Sequence, residues 1–218
     1  MKGSKTARGA ILAGLRPGFH LGRPMRVGLY GGSFNPVHAG HIHVARTALR
    51  RLRLDRILWL VSPQNPLKSA GDYASLDSRL AQATGLARGP RVLVTDIEAR
   101  IGARYSIETI TWLRRRFRGV RFVWIIGSDS LATFHRWRDW RGIAQRTAIA
   151  VVSRPGETLR GLNSPMTRRF AKRRLAEQAA AGLARRTPPR WTHISAPYHF
   201  ESSTALRQLA KPPTRTAE

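Results

Sequence analysis

A chain of 218 residues, 42% of them hydrophobic, is long enough to bury one core, and it has no unbroken apolar stretch of the ~18–20 residues needed to span a bilayer. With no cysteine it has no disulfides, thiolate metal sites or cysteine nucleophiles, which fits a reducing, cytoplasmic setting. Lysine and arginine number 39 against 12 acids, a formal charge of +27, so nucleic acid, anionic membrane and phosphorylated metabolites are all attracted; arginine scattered over many faces gives the same total without a dedicated partner.

Residues 1–25 carry no acid, the first being Asp55, and read as a basic, disordered leader in which Met25 is an alternative start. The apolar piece from Ala10 to Leu15 is too brief for a secretory signal. From Arg26 onward apolar runs alternate with helical patterns. The runs at 26–30, 56–62, 91–95, 121–126, 147–152 and 191–195 are nearly continuous, as parallel strands buried on both faces should be. Helices are predicted at 40–53, 75–88, 106–117, 136–145, 165–183 and 203–210, and the tail 211–218 is expected to fray. This alternation predicts an α/β fold, a doubly wound parallel sheet in a single domain over 26–210. Ligands in such sheets lie beyond the carboxyl ends of the strands, so the residues that follow each strand carry the chemistry.

The first strand runs into GGSFNPVHAGH. Its glycines are expected to supply positive φ and to let backbone N–H groups approach an anion. Neither G-x-G-x-x-G nor G-x-x-x-x-G-K-[ST] occurs, which removes the dinucleotide fingerprint and the P-loop. His38 and His41 stand at the mouth of the next helix, where three readings compete: a metal pair, two capping residues, or a phosphate cradle. A metal pair lacks a third protein ligand, and a helix N-terminus already favours an anion. The second strand is followed by Ser62-Pro63-Gln64-Asn65-Pro66-Leu67-Lys68, a proline-stiffened loop whose lysine is either solvated or a point charge for phosphate. The fourth is followed by Gly127-Ser128-Asp129-Ser130, in which Asp129 suits a helix cap or a ribose hydroxyl, and then by Phe134-His135-Arg136-Trp137. Trp137 is either core or a stacking face for a flat heterocycle. Near the end, Ser202, Ser203 and Thr204 open a short helix with Arg207 one turn in, either a cap with a surface arginine or a second anion-holding helix start.

Together these pieces resemble the nucleotidyltransferases marked by H-x-G-H, here His38-Ala39-Gly40-His41, with SSTALR similar to their second signature. GGSFNPVHAGH, SPQNPLK, RYSIETITWL, GSDSLATFHRW and SRPG resemble the bacterial nicotinate-mononucleotide adenylyltransferases in particular, over about 26–210. The resemblance implies a Rossmann-like fold. It also implies transfer of AMP from ATP to nicotinate mononucleotide, giving deamido-NAD and pyrophosphate, with Mg²⁺ arriving on ATP and no protein-held metal. By the same resemblance, His38, His41, Lys68 and Arg207 act on the reacting phosphates. Gly31, Gly32, Ser33, Phe34, Asp129, Ser202, Ser203 and Thr204 hold ATP, and Ser106, Trp137, Arg138 and Arg154 form the pyridine site. Many members have Asp where this chain has Asn35, and an aromatic where it has Arg138. Two alternatives are pantetheine-phosphate adenylyltransferase, which shares H-x-G-H, and a basic nucleic-acid-binding module. Neither a specific nucleic acid nor a membrane is expected as a partner, and monomer and homo-oligomer both stay open.

Overall fold

The computed structural model of the chain describes residues 21, 22, 24–63, 74–87, 89–153 and 163–196. The predicted helix at 203–210, the tail, most of the leader, Lys68, Arg154, Ser202, Ser203, Thr204 and Arg207 lie outside the described residues. Of the leader, Leu21 and Met25 pack against the core.

Strands β1 (Arg26–Gly32), β2 (Arg56–Val61), β3 (Val92–Thr95), β4 (Arg121–Gly127), β5 (Ala148–Val152), β6 (Arg174–Leu175) and β7 (Trp191–Ile194) form one sheet in the order β3-β2-β1-β4-β5-β7-β6. Every pairing is parallel. Successive side chains of a strand point to opposite faces, and this divides the core in two. Ile57, Trp59 and Val61 belong to one apolar cluster with Val44 and Ala48 of helix α1 (Ala39–Arg51) and Ala83 of α2 (Leu76–Leu86). Leu58 and Leu60 belong to the other, with Ile97 of α3 (Ile97–Arg100), Ile110 and Leu113 of α4 (Ser106–Arg116), Leu131 of α5 (Ser128–Thr133) and Ile143 of α6 (Trp140–Arg146). Helices therefore cover both faces, the doubly wound α/β, Rossmann-like arrangement. Strand order reverses between β1 and β4, and the carboxyl ends of these two strands open the crevice where such sheets bind ligands.

Two predicted helices differ. The stretch 136–145 is a 3-10 turn at Phe134–Arg136 and then α6, because Asp139 caps a fresh start: its Oδ1 accepts from Gly142 N at 3.0 Å. The stretch 165–183 breaks after α7 (Pro165–Arg169) into a 3-10 turn, strand β6 and the 3-10 segment Glu177–Arg185. Leu175 accepts a hydrogen bond from the Thr192 hydroxyl and pairs with β7 at the sheet edge, so tertiary pairing overrides a helical sequence.

Candidate functional site

At the end of β1 the glycines turn out to serve close packing. Neither Gly31 nor Gly32 has a positive φ; among the residues around this turn it is Phe34 that takes the left-handed backbone, with φ of 46°. A Cβ on Gly31 would lie 3.2 Å from the Trp124 indole, and one on Gly32 would meet the Phe34 ring. A bulky residue at positive φ costs about 1–3 kcal/mol. Burial of the Phe34 ring offsets this: it stacks on Trp59 at 5.2 Å between centroids and lies 4.8 Å from the His41 ring. The strained turn thus aims the chain from β1 into α1 over a floor of aromatic rings.

The start of α1 joins two of the readings that compete in the sequence. His38 is the N-cap, and its Nδ1 accepts from Gly40 N at 3.1 Å. His41 reaches back, its Nδ1 accepting from His38 N at 3.3 Å. The result is a capping box in which imidazoles replace the usual hydroxyl and carboxamide. An imidazole that accepts at Nδ1 carries its proton on Nε2 when neutral, so the cap fixes both tautomers as Nε2–H donors. The rings sit 4.0 Å apart and both are buried, the Nε2 of His38 completely. One nitrogen of each ring is thus engaged in the helix cap. Among the described residues, no three His, Asp or Glu side chains gather to hold a metal.

Asn35 is buried, and its Oδ1 accepts from Ala74 N at 3.3 Å, tying the loop after β1 to the entry of α2. Asp129 lies half-buried in the first turn of α5, directly beyond β4, with Ser128 buried beside it. Trp137 is half-buried, edge-on to Trp124 with centroids 6.3 Å apart, so it shares with Gly31 the indole at the crevice wall. Arg138 is exposed. Ser106 is the first residue of α4, where Glu108 accepts from Arg104 N and Tyr105 N.

Two buried charges at this edge are absent from the sequence reading. Arg79 of α2 is 1% exposed and donates to four carbonyls: Ser33 at 2.8 Å, Ser62 at 2.7 Å, and Pro63 and Ala74 at 2.9 Å each. Its signal in the sequence is its place in the stripe Leu76, Leu80, Ala83, where an apolar residue belongs. Glu98 of α3 is buried and accepts from the hydroxyls of Ser62 at 2.9 Å and Thr109 at 3.1 Å. Burial pushes its carboxyl up from the ordinary 4.5, and the two hydroxyl donors pull it partly back.

Known proteins share this sequence and fold. The cytidylyltransferase-like family model matches residues 29–209. The chain is 54% identical to a probable nicotinate-nucleotide adenylyltransferase of Caulobacter sp. (strain K31) over 183 residues, 84% of this chain and 97% of that one. It is 50% identical to the protein of the same description from Brucella suis biovar 1 (strain 1330) over 193 residues, 88% of this chain and all of the other. In fold it is similar to the Plasmodium falciparum nicotinic acid mononucleotide adenylyltransferase complexed with NaAD, with a TM-score of 0.67 at 15% identity, covering 87% of this chain and 85% of that one.

Proposed function

We propose how this site works from one premise: the chain belongs to the cytidylyltransferase-like family and, within it, to the nicotinate-nucleotide adenylyltransferases. It is a nucleotidyltransferase of NAD biosynthesis that moves the adenylyl group of ATP to nicotinate mononucleotide, giving deamido-NAD and pyrophosphate. An oxygen of the mononucleotide phosphate attacks the α-phosphorus of ATP, and the bond from that phosphorus to the bridging β-oxygen breaks as pyrophosphate leaves. Such a transfer asks the protein to position two anions and to stabilise charge on the transferred group, with no covalent enzyme intermediate.

The observation that carries this reading is the reciprocal imidazole cap. It fixes the orientation of the His41 imidazole at a helix start beside the β1/β4 crevice, where backbone dipoles already favour phosphate. His41 is assigned to the reacting phosphates. His38, the more deeply buried, chiefly holds the helix start in register. Gly31, Gly32, Ser33 and Phe34 form the ATP loop, Asp129 takes a ribose hydroxyl, and Trp137 and Ser106 border the pyridine ring. Lys68, Arg207 and the serines at 202 and 203 are assigned to the triphosphate by resemblance alone, as are Thr204 to ATP and Arg154 to the pyridine carboxylate. Asn35 acts as a tie between the loop after β1 and the entry of α2. Mg²⁺ prefers oxygen ligands and keeps several of its waters; this donor set of imidazoles and amides suits an ion held by the oxygens of ATP, where it neutralises phosphate charge. We place the activity in the cytoplasm, beside its nucleotide substrates, with no nucleic-acid or membrane partner.

The test is pyrophosphate release from ATP and Mg²⁺ with each of three acceptors: nicotinate mononucleotide, its amide, and phosphopantetheine. Turnover with the acid mononucleotide, above that with the amide, is the expected result. Turnover with phosphopantetheine alone would overturn the reading, as would salt-sensitive RNA retention with no turnover at all.

A further inference from the structure

The two buried charges share one residue. Arg79 Nη1 donates to the carbonyl of Ser62 at 2.7 Å and to that of Ser33 at 2.8 Å, so a single guanidinium spans the loops that follow β2 and β1. The Ser62 hydroxyl donates to Glu98 at 2.9 Å, and the other carboxylate oxygen accepts from Thr109 in α4 at 3.1 Å. Ser62 N in turn donates to Gly32 O at 3.0 Å. A continuous chain of hydrogen bonds therefore runs Ser33–Arg79–Ser62–Glu98–Thr109. One end is the backbone of the ATP loop. The other is the helix that begins at Ser106, one turn before Thr109. Every member stands at the carboxyl edge of the sheet or in a helix that packs against it, and Thr109 is fully buried.

A structural role alone explains this chain poorly. Burying a guanidinium and a carboxyl with a serine between them forfeits the gain of a direct ion pair, and well-packed apolar side chains in such places are often as stable or more so. The chain does provide a fixed distance, because each hydroxyl and carbonyl in it is held by a buried side chain with more than one hydrogen bond. In-line transfer between two anions depends steeply on that distance; a shift of about 1 Å costs on the order of 10²-fold in rate.

Resting on the activity above, we propose that Ser62 is a positioning residue: clamped by Arg79 through its carbonyl and by Glu98 through its hydroxyl, it sets the separation between the ATP loop and the mononucleotide helix. The residue touches neither substrate. It acts by keeping the acceptor phosphate on line with the α-phosphorus once each nucleotide has bound its own wall. Loss of the link leaves each wall intact and misaligns the pair.

Full-length Ser62→Ala, Ser62→Thr, Glu98→Gln and the Ser62→Ala/Glu98→Gln double variant test this by steady-state pyrophosphate release. For Ser62→Ala the expected result is a kcat lowered about 10- to 100-fold with the KM of each substrate within about threefold of wild type. Ser62→Thr, which keeps the hydroxyl, should recover kcat to within about threefold of wild type. Glu98→Gln should lower kcat in the same pattern, and the double variant should be no slower than Ser62→Ala, because one link is broken twice. The inference is overturned by a wild-type kcat in Ser62→Ala, by a loss confined to the KM of one substrate, or by single losses that multiply in the double variant. A kcat loss that merely tracks the unfolded fraction measured by circular dichroism overturns it too, and Glu98→Gln gives a second reading if Ser62→Ala folds poorly. Absence of wild-type turnover would instead sink the activity assignment beneath it.

Discussion

The amino and carboxyl edges of the sheet use the same chemical groups to different ends. At the amino edge Arg26 and Asp55 form a bidentate pair at 2.8 Å and 3.2 Å, partly open to solvent, while the side chains of Arg56 and Arg91 donate to the carbonyls of Pro90 and Leu54 in neighbouring turns. These contacts fasten strand ends where water and salt can screen them. At the carboxyl edge Arg79 and Glu98 are buried, and each is held by neutral hydroxyls or carbonyls. The imidazoles of His38 and His41 stand at the same edge, at the start of α1, with their tautomers fixed by a helix cap. Exposed charge at one edge adds a little stability. Buried charge at the other fixes geometry, which is what a transfer between two anions requires.

If that division is right, changes at the carboxyl edge should act on rate and those at the amino edge on stability. The largest effect is expected from His41→Ala, which removes an Nε2–H donor from the reacting phosphates. Loss of one such donor typically lowers kcat about 10²- to 10³-fold, and circular dichroism should show the fold retained. Near-normal turnover would break the comparison at its strongest point. Next, Trp137→Ala should raise the KM for nicotinate mononucleotide by roughly tenfold, within the ~1–3 kcal/mol of aromatic stacking on a base, with the KM for ATP changed less than twofold. Equal changes in both would return Trp137 to the core around Trp124 and Phe134, which it already touches.

Strands β1, β2, β4 and β5 are legible in the sequence because both faces of each are covered, so their apolar runs have no polar alternation to blur them, whereas the two-residue edge strand β6 lies inside a predicted helix. The histidines are legible as a pair at a helix mouth, though only the structure shows one nitrogen of each engaged in the cap. The glycines mislead. Gly-Gly suggests positive φ, while here the left-handed residue is Phe34 and the glycines make room for Trp124 and for Phe34 itself. Arg79 is hidden by its setting: in a chain with 39 basic residues, one more on a helix draws no notice until its place in an apolar stripe is weighed. Ser62 and Glu98 lie 36 residues apart, and no periodicity reports a contact of that kind.

The amino edge should respond more weakly. Asp55→Asn should leave kcat and both KM values unchanged and lower unfolding stability by at most about 1 kcal/mol, the usual worth of a solvent-screened pair.

The smallest effect, and the one that separates the edges most directly, lies in the sign of their response to pH. The Arg26 guanidinium, by hydrogen bond and charge, holds the Asp55 carboxyl below its ordinary 3.8 despite a partial opposing effect of burial. A depressed carboxylate contributes stability that is fully present above 3.8 and is lost as pH falls through the lower folded-state value. Glu98 is raised above 4.5 by burial, so its contribution is fully present below 4.5 and declines as pH rises through the higher folded-state value. Urea unfolding compared across pH should therefore show Asp55→Asn least stable relative to wild type at neutral pH, with the gap closing in acid. Glu98→Gln should show the reverse trend, gaining on wild type as pH is raised above 4.5, because the neutral amide no longer has to ionise in a buried place. Parallel pH trends for the two variants would mean that both carboxyls are solvated alike, and the contrast between an edge that fastens and an edge that positions would lose its electrostatic basis.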